Sequence, residues 1–312
     1  MTYSIVARDP ETGDLGVAVQ SKFLAVGNVV PWARAGVGAI ATQAFANVEY
    51  GPRGLELLAE GNAADEALRK LVAADDGREH RQAGVVDAQG RSATYTGREC
   101  FAWAGGRTGP NFAAQGNILA DAPVVDGIVD TFLAGGRPFP ELLVACLAAA
   151  ESAGGDRRGS ESASLVIVRD HSGFGGGNDR WIDLRVDDHA DPVPELIRIR
   201  AVWRTLMERP EPGDLIAIDA PLAAELRERL TRRGWGPDAV DVDAAFQARM
   251  RAELGAVPRI GEARPAIDGW EPDWDAALLG WIGVANLEAR SAAPGWIDPA
   301  VLAAVREASD PG

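Results

Sequence analysis

Short runs rich in β-branched residues come in pairs along this chain, and between the pairs the apolar spacing shifts to that of helices. Residues 3–8 read as a strand, 9–14 are dense in turn formers, and 15–20 resume as a second strand, which makes a hairpin. Residues 36–42 form a third strand, of small residues that another part of the chain must approach closely. Helices are expected at 54–60 and 63–73, the second with Ala64, Ala67, Leu68, Leu71 and Val72 near helical period. Asn62 reads as its N-cap, with Asp65 and Glu66 in the first turn. Residues 81–87 and 91–96 flank Ala88-Gln89-Gly90 as a hairpin. Asp121 reads as the cap of a helix at 124–134, and a strongly apolar helix at 140–153 stops at Gly154-Gly155. Strands at 162–169 and 181–186 are joined by a glycine-rich stretch, and a helix at 192–207 closes the run.

Strands that arrive in hairpins, with helix pairs between them, fit two antiparallel sheets packed face to face with helices outside. The expected fold class is therefore α/β, a four-layer α/β/β/α sandwich, rather than a three-layer parallel fold. Arg209-Pro210-Glu211-Pro212-Gly213-Asp214 reads as a linker, which gives domains at 1–208 and 209–312. Beyond it, amphipathic helices at 222–233 and 242–254 predict a small, mainly helical domain. Trp270, Trp274, Trp281 and Trp296 are either the core of that domain or a binding face.

Composition narrows the function. A formal charge of −15 repels phosphate backbones and anionic lipid, so neither nucleic acid nor a membrane is expected as a partner. No apolar run is long enough to span a bilayer and no signal peptide is read at the start, which makes the expected location cytoplasmic. Cys100 and Cys146 are too few for a disulfide framework, and with His80, His171 and His189 they make no metal-like spacing. No metal or organic cofactor is implied. The small-residue strands and apolar helices leave room for a homodimer.

The informative position is the second. Removal of Met1 leaves Thr2 as the terminal residue, at the head of a strand. Its α-amine, with a pKa of about 7.7–8.0, then takes the proton from its own hydroxyl, so one residue supplies both nucleophile and base. Lys22, beside Ser21, is either a charge that tunes this threonine or a surface lysine at a strand end. Residues 23–27 read as an apolar loop over the site. Asn117, after Gly116, suits an oxyanion hole or else satisfies loop backbone. Asp156, in Gly154-Gly155-Asp156-Arg157-Arg158-Gly159, either orients the amine or belongs to a solvated helix cap, and the arginines suit a substrate carboxylate. Residues 173–177 lack the Lys-Ser/Thr of a phosphate loop, and 187–191 lack the spacing of a calcium site.

Thr2-Tyr3-Ser4-Ile5-Val6-Ala7-Arg8-Asp9, Val19-Gln20-Ser21-Lys22-Phe23, Ala41-Thr42-Gln43-Ala44, Gln115-Gly116-Asn117-Ile118-Leu119 and the run 154–159 together resemble the domain-of-unknown-function 1028 family, over residues 2–207. That resemblance implies a fold of the N-terminal-nucleophile hydrolase kind, whose members cleave amide bonds through an acyl-enzyme. The candidate catalytic residues are Thr2, Lys22, Asn117 and Asp156, with candidate substrate contacts at Ser21, Gln43, Gly116 and Arg157. The tail, through Trp274-Asp275, Trp281-Ile282-Gly283-Val284, 286–290 and Ile297-Asp298-Pro299, is similar to a segment named for peptidoglycan binding; a dimerisation or lid role fits it equally.

The leading expectation is an amidohydrolase acting on a small amide, ureido or peptide substrate. The rival is a non-catalytic binding or assembly protein whose tryptophan-rich tail holds the partner. An amidase with its nucleophile at Ser21 is a third reading.

Overall fold

The computed structural model describes residues 2–236, 259–264 and 269–307. The helix expected at 242–254 lies outside the described residues. The chain divides into two compact units, Met1–Arg200 and Ala201–Gly312. That division falls inside a helix (Pro192–Met207) rather than in the proline-rich stretch that follows it.

The first unit carries two antiparallel sheets. Its strands are β1 (Thr2–Arg8), β2 (Leu15–Ser21), β3 (Pro31–Arg34), β4 (Gly38–Ala44), β5 (Arg81–Asp87), β6 (Ser92–Thr96), β7 (Gly105–Gly109), β8 (Phe112–Asn117), β9 (Ser162–Val168) and β10 (Arg180–Val186). The six-stranded sheet runs in the order β10-β9-β2-β1-β8-β7, the four-stranded sheet β3-β4-β5-β6. The inward faces meet in a core of Val6, Leu15, Val17, Val19, Ala39, Ala41, Val86, Ala113 and Val166. Small side chains on β4 let the sheets approach, which is the close contact the sequence called for.

Two helices, α1 (Tyr50–Ala59) and α2 (Ala64–Ala73), cover the four-stranded sheet with Leu55, Leu58, Leu68 and Leu71 on Ile40, Ala83 and Val85. On the other sheet α4 (Phe139–Ser152) meets β1, β2 and β9, and α3 (Pro123–Ala134) meets β7 and β8. Helix α4 ends where expected: Gly154 and Gly155 take φ of 115° and 50°, left-handed values that glycine adopts without strain. Asp121 does not cap α3: the N-cap is Ala122, without a side-chain cap hydrogen bond, and the Asp121 carboxylate accepts the Ala122 N–H ahead of the helix.

Asn62 does not cap α2. Its amide donates instead to the Leu57 carbonyl, at the end of α1, 2.7 Å away. The Ala64 N–H goes to Asp87 Oδ2 at 3.2 Å, a carboxylate from the end of β5. A charged acceptor brought by tertiary structure displaces the local one, because a carboxylate at a helix N-terminus binds both the orphan N–H and the dipole.

The second unit holds the end of α5 (Pro192–Met207), then α6 (Ala220–Arg232), α7 (Pro272–Val284), α8 (Pro299–Glu307) and a two-stranded ribbon, β11 (Ile216–Ala217) with β12 (Trp296–Ile297). Trp235, Trp270 and Trp281 are buried with Leu226, Leu230, Ile282 and Val301. These tryptophans are core, filling a domain with few other bulky groups. Among the described residues no helix is long and apolar enough to cross a membrane.

Candidate functional site

Strand register builds the site. Thr2 lies opposite Ser21 on one side and Asn117 on the other, and Ser21 lies opposite Ser162. Asn117, Thr2, Ser21 and Ser162 thus form one polar row across β8, β1, β2 and β9. In the facing sheet Gln43 pairs with Gln82, and Gln82 with Thr96. The inter-sheet layer is apolar along most of its length and amide-rich here.

The buried amides complete one another. Gln43 Nε2 donates to Gln82 Oε1 at 2.8 Å, and the same oxygen accepts from Asn117 Nδ2 at 2.9 Å. Gln82 Nε2 donates to the Gly116 carbonyl at 2.7 Å and to Thr96 Oγ1 at 2.9 Å. Ser4 Oγ donates to Gln43 Oε1 at 2.6 Å and accepts from Gln115 Nε2 at 2.7 Å. Gln115 crosses the bare backbone of Gly84, where a Cβ would lie 2.0 Å from its amide oxygen. A buried amide without partners costs about 1–3 kcal/mol, so the network holds its members in one arrangement.

Over this row opens a cavity of about 550 Å³, within the range of small-molecule sites. Thr2, Ser21, Lys22, Gln43 and Asn117 line it, so register and folding bring together five of the residues expected at the site. Thr2 Oγ1 and Ser21 Oγ are hydrogen-bonded at 3.0 Å. The Lys22 ammonium is engaged by Glu161 at 3.4 Å and by the Ser160 carbonyl at 3.2 Å. Phe23 and Val26 of the expected apolar loop line the cavity too. Ser162 pins that loop, donating to the Phe23 carbonyl and accepting from the Val26 N–H.

Asp156, Arg157 and Gly116 do not line the cavity. The Asp156 side chain is fully buried and accepts the backbone N–H of Lys22 at 3.2 Å and of Arg158 at 2.7 Å. Burial raises its pKa, against the opposing pull of the Arg158 N–H, the Arg158 charge and the Lys22 N–H. The Tyr3 phenol is raised well above its ordinary value by burial, and further by Glu151 and Asp156. Arg157 donates to the Ala102 carbonyl at 3.4 Å, and of these two neighbours it is Arg158 that lines the cavity. The Gly116 carbonyl is taken up by Gln82.

Sequence reasoning missed Gln82, Arg81, Phe45, Cys100 and Phe101. Arg81 reaches the site tied down, to Asp75 at 3.0 Å and the Phe45 carbonyl at 2.6 Å. Burial raises the Cys100 thiol and pushes Cys146 up to about 12, so neither is primed as a thiolate. A glutamine at an inward position of an otherwise apolar strand, as at Gln82, is the one local sign that was available. Among the described residues no group of three or more His, Cys, Asp or Glu stands together as a metal site.

These features define a mixed α/β protein whose antiparallel sheets hold a polar, amide-braced cavity at one end. The chain belongs to the DUF1028 family, a family of unknown function, whose model matches residues 2–196. It is also similar to a crystal structure of protein SPO2555 from Silicibacter pomeroyi, described as DUF1028, at 30% identity and a TM-score of 0.60. That match covers 65% of this chain and 89% of the other. No curated protein matches the chain.

Proposed function

We propose that the first unit is an amidohydrolase of the N-terminal-nucleophile type, built on a four-layer α/β/β/α sandwich and working through an acyl-enzyme on Thr2. The observation that carries this reading is the position of the Thr2 hydroxyl: at the head of β1, in the cavity wall, hydrogen-bonded to Ser21 and flanked in register by Asn117. The facing sheets with helices on their outer surfaces are the arrangement such an enzyme needs. The domain that acts comprises residues 1–208, and the tail to 312 is an appendage. Its tryptophans are spent on its own core, so its likeness to a peptidoglycan-binding segment carries no part of this reading.

The chemistry requires cleavage of the peptide bond before Thr2. The freed α-amine takes the hydroxyl proton, and Oγ1 attacks the substrate's amide carbonyl, opening its π bond onto oxygen. The Asn117 amide stabilises that oxyanion, held in place through Gln82. Collapse expels the amine product, which leaves with the proton carried by the α-ammonium, and an ester remains on Thr2. Water, deprotonated by the same amine, then releases the acid. Asp156 orients the amine from behind, Lys22 adds a positive charge to the wall, and Ser21 and Gln43 position the substrate.

Intact mass and a peptide map of untagged protein test this. Loss of everything before Thr2, together with an acyl adduct on Thr2 after exposure to amide substrates, is expected. Retention of the preceding residue in active protein rules it out and turns attention to Ser21.

A further inference from the structure

The cavity has a chemical character that neither the family nor the nucleophile explains. Among the described residues its lining includes Lys22, Arg81 and Arg158 and no carboxylate, in a chain whose formal charge is −15. The acidic partners of these cations, Glu161, Asp75 and Asp156, are not part of the lining. They hold the cationic groups at the wall from outside it. Arg158 comes from the loop between α4 and β9, and its side chain is 46% exposed beside the buried Asp156.

The second feature is aromatic. Phe23, Phe45 and Phe101 line the same cavity and are 54%, 59% and 62% exposed. They arrive from three places in the chain: the loop after β2, the end of β4 and the β6–β7 connection. Phe45 and Phe101 lie 6.2 Å apart, ring to ring. Exposing three phenylalanines to water forfeits burial of about 25 cal/mol per Å² of apolar surface, and such clusters mark binding surfaces. Cations with no acid between them select an anion, and aromatic faces select a flat or apolar group.

We infer that the substrate is an amide bearing both a carboxylate, received by Arg158 with Lys22, and an aromatic or branched apolar group, received by Phe23, Phe45 and Phe101: an N-acylated amino acid or the carboxy-terminal end of a short peptide. The inference deepens the amidohydrolase reading and rests on it for the amide bond alone. The net −15 charge of the chain repels anions at long range, so selection is made by the short-range contacts inside the cavity.

Equilibrium binding separates the two ideas. Full-length Thr2→Ala protein, which cannot turn over, is titrated calorimetrically with N-acetyl-L-phenylalanine and hippurate, each against its neutral carboxamide. The carboxylates are expected to bind at least about tenfold more tightly, a preference that shrinks with added salt. Arg158→Gln is expected to remove most of that preference and leave carboxamide affinity within about twofold, as for a lost charge-assisted hydrogen bond. The salt dependence of the Thr2→Ala protein with Arg158 intact reads the same preference if that variant folds poorly. Equal binding of acid and amide, tighter binding of the amides, or no binding of any of the four overturns the inference. A carboxylate preference without any acyl adduct on wild-type Thr2 defeats the hydrolase reading and leaves this one standing.

Discussion

The two ends of the space between the sheets are made by the same strands. At one end Val6, Leu15, Val17, Ala39 and Val86 meet with no polar side chain among them. At the other, Thr2, Ser4, Gln43, Gln82, Gln115 and Asn117 are as deeply buried. Strand β1 makes the transition within five residues, its inward positions running Thr2, Ser4, Val6, and β8 repeats it as Asn117, Gln115, Ala113. The apolar end holds together by contact area, which is non-directional and forgiving of exact geometry. The polar end holds only while every amide has its partner, so it fixes orientation as well as position. Hydrophobic filling would have served stability alone; directed dipoles beside a cavity also hold the polar groups of its wall in one orientation.

The largest expected effect breaks the polar end at the proposed nucleophile. Thr2→Ala is expected to lower kcat/KM on any amide substrate by about three orders of magnitude or more, as for loss of a covalent nucleophile, with little change in melting temperature. Steady-state kinetics beside thermal unfolding check this. An unchanged rate removes Thr2 from the reaction and reduces the polar end to a structural layer.

At the apolar end the balance reverses. Leu15→Ala, at a fully buried site, is expected to cost about 2–5 kcal/mol by urea unfolding and to leave KM unchanged. Between the extremes lies Gln82. Gln82→Leu removes the oxygen shared by Gln43 and Asn117, and each orphaned N–H costs about 1–3 kcal/mol. Here stability and kcat are expected to fall together, and a cycle with Gln43→Leu is expected to be non-additive by about 0.5–3 kcal/mol. Additivity would show that the amides do not act as a unit.

How much of this was readable in the chain varies by residue. Hairpins β1–β2, β5–β6 and β9–β10 carried the β-branched pattern and turn residues that mark strands, and helix α4 carried its stop in Gly154-Gly155. Strands β7 and β8 did not: Gly105–Gly109 is glycine-rich, and in Phe112–Asn117 every residue is buried, so no polar–apolar alternation exists to be seen. Their place beside β1 is set by tertiary pairing, yet β8 is what delivers Asn117 to Thr2. Thr2, Ser21, Lys22, Gln43 and Asn117 were therefore identifiable one by one, whereas their row was not. Gln82 and the aromatic mouth needed the facing sheet and three distant loops to come together. Arg158 rather than Arg157 reaches the cavity for a similar reason, since the turn that follows Asp156 decides which side chain points inward.

The smallest effect sharpens the comparison through two carboxylates near the cavity. At Asp75 burial raises the pKa, but hydrogen bonds from Arg81, Asn47 and the Gly77 N–H overcome it and the net shift is downward. At Asp156 burial prevails and the shift is upward. The signs of their contributions to stability are opposite. Asp75 stabilises above the ordinary aspartate range and loses that contribution as pH falls through its lowered value. Asp156, protonated more readily in the folded chain than in the unfolded one, favours folding below the ordinary aspartate value, and that contribution is lost as pH rises through its raised value. Asp156→Asn keeps one acceptor for the Lys22 and Arg158 N–H groups where there were two, so the variant is expected to be less stable overall. Its stability is nevertheless expected to fall less steeply than wild type as pH rises above about 4, the ordinary aspartate value. Urea midpoints between mild acid and neutrality read the slope. If the variant's slope matches wild type, Asp156 does not titrate in that window, and its buried charge is held by the Lys22 and Arg158 N–H groups as firmly as Asp75 is by its own partners.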